Sequence, residues 1–566
     1  MNIVKKPIFH NLLLLCAFVI ALALRLVRLG SMPLTDMEAR IALQALAVGQ
    51  RTGAVFGAHM TYVGLTGLDF FLLKSGDFLA RFWPALFGAS IVFVPFLFRK
   101  NIGDLPASIL SFLLALSPEM VGLSRIIGSP MIAFVCLLLS VGFILNKKPI
   151  LSGVTFAMAL MGGSGFWTGI LLIGFSLLTA KLVLRLSFPT FLIEFFKLRK
   201  YRTRFFLAFT LGILVIGTGF LLAPEGLSGV FYGAVDFVRG FGKPYTKPFI
   251  LKVLALAAYS LPAIIFGIWG GVRGLFNRSK LDLFLLIMAV VSFLYLILYP
   301  GATPADIIWI TVPLWTLTAR VVAAVWRVPG ENRYVMSITA VVVVIVFAFT
   351  LLAMRSLISP TINQEARLAT LIALAGGFVL MIALVLLVTY GWSQEVALPG
   401  LLMGLSVVVL LGMLSISVRT TSLSLEMTQE LWYPEEASLS TQWLNVSLGR
   451  VMDWNKSRTA PVEIAVVDLD TPGMRWVLRD HADTAFVPYV PPSSQPGILI
   501  SDSLTQPEIS NSYRGQDLIW SQTPNWNVMT PFQYLDWLMT RNTPETNKEI
   551  IFWVRTDLMP DEQFTQ

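Results

Sequence analysis

Leu24-Arg25-Leu26-Val27-Arg28-Leu29-Gly30-Ser31-Met32-Pro33-Leu34-Thr35-Asp36-Met37-Glu38-Ala39-Arg40 joins the end of a long apolar run to a short stretch that carries two carboxylates between arginines. The run upstream, residues 8–28, is long enough to cross a hydrocarbon core about 30 Å thick, which takes roughly 20 apolar residues. The acids therefore stand just beyond a membrane boundary. Carboxylates and arginines gathered there point to chemistry on a phosphate-bearing substrate.

Working outward, the same kind of apolar run recurs along most of the chain. Hydrophobic residues make up 56% of the 566 and charged residues 13%, with a mean hydropathy of +0.74; soluble domains carry about 25% charged residues, so a soluble globule is excluded. The expected class is a polytopic α-helical membrane protein. Thirteen spans are expected, near 8–28, 79–98, 105–123, 130–146, 149–163, 166–184, 205–223, 248–270, 281–299, 303–325, 334–354, 367–391 and 396–418. The first has the basic start of a signal peptide but a long apolar run and no small-residue cleavage site, and reads as a retained span.

Lysines and arginines at span ends set the orientation. Lys5, Lys6, Arg99, Lys100, Lys147, Lys148, the cluster from Lys197 to Arg204, Arg273, Arg278, Lys280, Arg327 and Arg333 fall on one side, which is then the cytoplasm. The expected protein is a multi-pass component of the plasma (inner) membrane with its N-terminus cytoplasmic. Thirteen spans place everything after about residue 420 outside. The formal charge of +9 follows from this topology and implies no nucleic-acid partner. Cys16 and Cys136 both lie in expected spans, which leaves the outer part without a disulfide framework or a thiolate metal site.

Two regions break the apolar pattern. Residues from about 36 to 75 carry Asp36, Glu38, Arg40, Arg51, His59, Asp69 and Lys74 among apolar positions at helical spacing, and read as two helices along the outer surface. Residues 420–566 are polar and contain tryptophans. Their apolar runs at 462–467, 485–487, 497–500 and 550–554 read as buried strands and 437–453 and 531–540 as helices, which makes a small α/β domain beside a transmembrane domain of residues 1–419.

In this topology Arg25, Arg28, Arg40, Arg51, Arg81 and Arg125 all fall on the outer face, against the usual bias. A guanidinium fork suits phosphate oxygens; snorkelling, or pairing with Asp36, Glu38 and Glu119, accounts for the same residues without a ligand. The acids are equally two-sided. A carboxylate at a helix start can deprotonate an acceptor hydroxyl or amine, or hold a divalent cation, magnesium or manganese, against a phosphate. It is also what helix capping uses. Met474-Arg475-Trp476-Val477-Leu478-Arg479-Asp480 and Tyr513-Arg514-Gly515-Gln516-Asp517, with Trp520, Trp526 and Trp537, suit either carbohydrate contact or the core and docking of a small domain.

Leu24–Gly30 followed by Pro33–Ala39 resembles the start of GT-C glycosyltransferases, and in particular the protein O-mannosyltransferase and aminoarabinose-transferase group. Ala80-Arg81-Phe82-Trp83-Pro84-Ala85-Leu86-Phe87-Gly88 looks like that group's entry to the second span, and Leu116-Ser117-Pro118 with Ser124-Arg125 is similar to its stretch at the outer end of the third. The recognisable motifs cover about residues 8–150. The resemblance implies transfer of a sugar from a polyprenyl-phosphate donor, among membrane lipids, to a protein, lipid or glycan acceptor on the outer face. It gives the catalytic role to Asp36, with Glu38 the alternative, and makes Arg81 and Arg125, beside Arg28, candidates for contact with the donor phosphate. The chain departs from the pattern where relatives place an acid after the Ser-Arg pair: Ile126-Ile127-Gly128-Ser129-Pro130-Met131 has none. Glu119, or Asp236 with Arg239 in the loop 224–247, would have to replace it, and His59 is left without the prolines of the acceptor-side motif. A non-catalytic carrier of lipid-linked sugar, a transporter or flippase-associated protein, is the alternative from another class.

Overall fold

The computed structural model describes residues 7–53, 56–185, 190–243, 249–325, 333–358, 364–421, 430–432, 437–438, 440–456, 462–481, 483–491, 494–503 and 512–559. Lys5, Lys6 and Arg327, used above for topology, lie outside them.

Each of the thirteen apolar segments forms helix. Among the described residues nine helices are individually long and apolar enough to cross a membrane. A tenth span is made if Asp104–Leu116 and Pro118–Ser124, bent by 55° at Ser117, count together. The break falls where Pro118 cannot donate to the preceding turn. Of the remaining three segments, Met131–Leu145 and Pro149–Leu160 are apolar but short, and Arg199–Gly217 begins with a basic turn. The chain is a multi-pass helical membrane protein.

Small residues let these helices close on one another, as packing between apolar spans requires. A Cβ on Gly153 would stand 2.4 Å from the Phe205 carbonyl oxygen, so the helices Pro149–Leu160 and Arg199–Gly217 touch backbone to backbone. Deeper in, Trp309 and Trp315 are fully buried, and Trp309 meets Phe134 edge to face at 4.6 Å.

The two expected surface helices are Asp36–Gln50 and Met60–Leu72. Neither lies free. The first begins with a capping box, Thr35 accepting from the Glu38 amide and the Glu38 carboxylate accepting from the Thr35 amide. It buries Ala39, Ala42 and Leu46 against the second helix and the bundle.

After the last span the chain builds one six-stranded sheet, from β1 (Ala437–Ser438), β2 (Ile464–Val467), β3 (Thr484–Val487), β4 (Ile498–Asp502), β5 (Tyr513–Pro524) and β6 (Glu545–Arg555), in the order β1-β5-β6-β4-β2-β3. β2 pairs in parallel with both β3 and β4, and its four residues are all buried, as an unbroken apolar run requires. β4, β6, β5 and β1 pair antiparallel. The helix Thr441–Trp454 lays Leu444, Leu448 and Val451, one face at i, i+4 and i+7, on the sheet. β5 was not expected. Its residues Arg514 to Asp517 are exposed and polar, which concealed a strand.

Trp520, Trp526 and Trp537 are packing residues, whereas Trp443 and Trp454 of the same domain are exposed. Trp520 is in the sheet core, while Trp526 and Trp537 join the core that runs down into the helical bundle. Burial denies them the exposed face on which a sugar ring would stack. Arg541 lies over Trp537 and its guanidinium is 3.7 Å from Glu430, which also accepts from the Tyr259 hydroxyl of a membrane helix. The sheet domain is thereby pinned to the bundle.

Candidate functional site

The Glu38 carboxylate is fully buried and grips the Arg81 guanidinium in a two-point fork, Arg81 Nε to Oε1 at 3.0 Å and Nη2 to Oε2 at 2.6 Å. Glu38 Oε1 also accepts from the Ile127 amide at 3.1 Å. Arg81 spends its other donors on the carbonyls of Met32 and Pro33. These bonds tie the loop before the first surface helix, the helix Asp77–Ser90 and the turn after Arg125 into one knot. In this geometry Glu38 is paired with Arg81, and the Arg81 donors are spent on Glu38 and on the Met32 and Pro33 carbonyls.

Arg125 is engaged in a different way. Its guanidinium donates to the carbonyls of Arg25 and Val27 at 2.9 Å, of Arg28 and Thr421 at 3.1 Å, and of Leu24 at 3.4 Å. A helix leaves its last four carbonyls without partners; Arg125 satisfies those at the end of the first span and clamps the end of the last span to them. Arg25 does the same for the broken span, donating to Leu114 and Ala115. Arg25 and Arg125 thus answer to helix ends, and the Arg125 fork is spent on backbone carbonyls. Arg28, with a left-handed backbone (φ 51°), remains exposed.

Asp36 differs. It is half-buried at the first turn of its helix, and its Oδ1 accepts from the Gly473 amide of the sheet domain at 2.8 Å. Among the described residues Oδ2 has no hydrogen-bond partner. The helix Pro472–Val477 that supplies Gly473 sits on the first surface helix, with the Trp476 indole donating to Asp77 at 2.7 Å and Arg479 Nε to the Ser75 hydroxyl at 3.1 Å. The stretch read as suited either to carbohydrate contact or to domain docking is here a docking edge beside Asp36.

One residue on, the methyl of Met37 approaches Gly128, and so does His59 from the other side: a Cβ on Gly128 would lie 3.4 Å from Met37 Cε and 3.9 Å from His59 Nε2. His59 rests in a niche made by Gly163, where the backbone takes φ +110° and a Cβ would come within 2.6 Å of the ring. Its Nδ1 is 3.3 Å from the Gly162 carbonyl. Burial draws the His59 pKa below its ordinary 6.5, while the Gly162 carbonyl and the charge of Asp236 pull the other way. Neutral imidazole is the form held near pH 7. Asp236 and Arg239 are exposed on the helix Gly229–Arg239, which packs through Gly233 on the Gly163 carbonyl. The structure thus brings the start of the first surface helix, the turn after Arg125, His59 and the 229–239 helix close to one another through Gly128, Gly163 and Gly233. Glu119 is placed inside the bundle instead, accepting from Ser260 at 3.0 Å and Trp315 at 3.1 Å.

Two charged residues went unnoticed in the sequence. Asp306 closes a capping box on Thr303 and lies within electrostatic reach of the buried Lys252. Tyr299 joins them to the 229–239 helix, its hydroxyl donating to the Phe237 carbonyl at 2.6 Å. Thr303-Pro304-Ala305-Asp306 has capping-box spacing, the one available signal.

The acids at 36 and 38 do not fit a divalent cation, because both Glu38 oxygens are committed to Arg81. Among the described residues no group of three or more histidine, cysteine, aspartate or glutamate side chains forms a metal site.

No protein-family model matches the chain, and no curated protein matches its sequence. Among solved structures, it is similar to ArnT from Cupriavidus metallidurans bound to undecaprenyl phosphate, with a TM-score of 0.52 at 14% identity over 97% of this chain and 99% of that one. The apo state of ArnT gives 0.49 at 14% identity and the same coverage. The oligosaccharyltransferase AglB from Archaeoglobus fulgidus, in complex with an inhibitory peptide and a dolichol-phosphate, gives 0.43 at 13% over 87% of this chain and 69% of that one. The likeness to bound ArnT extends over both the helical bundle and the sheet domain, and the chain has the GT-C fold.

Proposed function

We propose that the chain is an integral-membrane glycosyltransferase that moves a sugar from a polyprenyl-phosphate donor to a protein, lipid or glycan acceptor at the membrane face covered by its sheet domain. By the distribution of lysine and arginine that face is extracytoplasmic and the N-terminus is cytoplasmic. The fold shared with ArnT supports the reading. The observation that carries it is the contrast at residues 36–38: Glu38 is saturated, while half-buried Asp36 keeps one carboxylate oxygen without a hydrogen-bond partner among the described residues.

In this reading Asp36 accepts the proton of an acceptor hydroxyl or amine as that atom bonds to the anomeric carbon. The bond from that carbon to the phosphate oxygen breaks, and its electron pair leaves with the polyprenyl phosphate, which needs no proton. The departing charge calls for cations. With Arg81 and Arg125 engaged, Arg28 and Arg239 take that part, and neutral His59 orients the acceptor by hydrogen bonding. No metal enters any step.

Purified protein supplied with radiolabelled polyprenyl-phosphate sugars and a panel of lipid, peptide and glycan acceptors tests the proposal. Acceptor-dependent transfer is expected. Donor binding with no turnover across the panel would favour a carrier.

A further inference from the structure

Along the helices Pro149–Leu160 and Arg199–Gly217, which stay packed from Gly153 on Phe205 to Gly212 on Ala157, runs an open groove of about 550 Å³. Ile150, Val154, Leu207, Leu211 and Val215 line it, and one cation, Arg204, stands at its end. Ile150, Leu207, Leu211 and Val215 are exposed, so the groove opens toward lipid. From Arg204 to Ile216 the helix rises about 18 Å at 1.5 Å per residue, comparable with one leaflet of a core about 30 Å thick. A single acyl chain fits that length.

The charged end has a built surround. Leu198, Arg199, Lys200 and Arg202 precede Arg204, and the short helix Thr190–Lys197 packs Phe195 against Ile144 and Phe205 while leaving Ile193 and Leu198 exposed beside its charges. That is the pattern of a helix lying in a membrane interface. Among the described residues none of Arg199, Lys200, Arg202 and Arg204 forms an ion pair. A second pocket, about 270 Å³, opens beside them between Lys147, Glu194 and Lys197.

We propose that this groove holds one acyl chain of an anionic glycerophospholipid from the leaflet facing away from the sheet domain, with its phosphate on Arg204. Charge complementarity selects an anionic head group over a neutral one. Position separates this lipid from the sugar donor. The groove's other end reaches the second surface helix, where a Cβ on Gly64 would stand 2.9 Å from the Ile216 carbonyl. A donor with its phosphate near Asp36 cannot also place that phosphate on Arg204, about 18 Å down the helix. The lipid is therefore a separate ligand that lies along the packed helix pair, below the second surface helix.

The test is retention of lipid by the full-length protein in mild detergent after equilibration with phosphatidylglycerol, phosphatidylcholine or undecaprenyl phosphate, quantified by mass spectrometry. Arg204→Gln should retain about fivefold less phosphatidylglycerol, the factor one basic residue is worth near an anionic surface, with phosphatidylcholine unchanged. Leu211→Trp, which fills the groove from an exposed position, should displace phosphatidylglycerol while thermal unfolding stays as in the wild type. Equal retention of phosphatidylglycerol by wild type and both variants overturns the proposal. So does undecaprenyl phosphate displacing phosphatidylglycerol from the wild type and itself being lost on Leu211→Trp, because the groove would then belong to the donor.

Discussion

Asp36 and Glu38 are separated by one methionine and begin the same helix, yet they belong to two different regions. Glu38 belongs to a knot with Arg81, Ile127 and the loop at Met32 and Pro33, beside which Arg125 and Arg25 bond to the carbonyls of helix ends. Asp36 stands near polar groups, His59 Nε2 and the exposed Asp236 and Arg239, that like its own Oδ2 make no hydrogen bond among the described residues. Charge at a membrane boundary does not by itself mark a ligand site. What separates structure from chemistry is whether the protein has already satisfied the group.

Four changes probe that contrast, starting with the largest expected effect. Asp36→Asn removes the base while keeping shape and the ability to accept from Gly473; turnover should fall about 10²- to 10⁴-fold, the range general-base catalysis supplies, as measured by initial rates with saturating donor. Glu38→Gln should act on the other quantity. It leaves the Arg81 charge buried and unpaired, at a cost of about 3–5 kcal/mol, read from unfolding in detergent, and the double variant Glu38→Gln with Arg81→Met should recover much of the loss.

Third comes the docking edge beside Asp36. Trp476→Phe deletes the bond to Asp77 and should loosen the sheet domain by about 1 kcal/mol, seen as faster hydrogen exchange in residues 472–480 with little change in the bundle. The smallest effect is the pH response of His59. Its folded pKa lies below 6.5, so the unfolded chain binds the proton more readily. Stability should be unaffected by this group above 6.5 and decline as pH falls from 6.5 toward the folded pKa. His59→Gln should flatten that part of a melting profile taken between pH 5 and 8.

The bundle was legible because a membrane span is written as length and apolarity, and every segment read that way forms helix. β2 and β4 were legible as unbroken apolar runs. β5 was not, since the polar residues Arg514 to Asp517 on its exposed length carry no alternating pattern. The site was half legible. The resemblance to GT-C enzymes singled out Asp36 and left His59 without the prolines of its motif; the structure brings Met37, next to Asp36, and His59 within reach of Gly128. The commitment of Arg81 and Arg125 could not be read, because their partners are largely backbone carbonyls, which every residue possesses. Lys252 and Asp306 were not singled out in the sequence; only the fold brings Asp306 within electrostatic reach of Lys252 and Tyr299.

The most direct measurement is sugar transfer and thermal unfolding taken on the same preparations of Asp36→Asn and Glu38→Gln. The account predicts opposite profiles: Asp36→Asn melts as the wild type does, binds the donor and transfers no sugar, while Glu38→Gln melts early and, at a temperature where it is still folded, retains transfer. Transfer that survives Asp36→Asn and vanishes in folded Glu38→Gln would contradict it and hand the catalytic role to the buried acid.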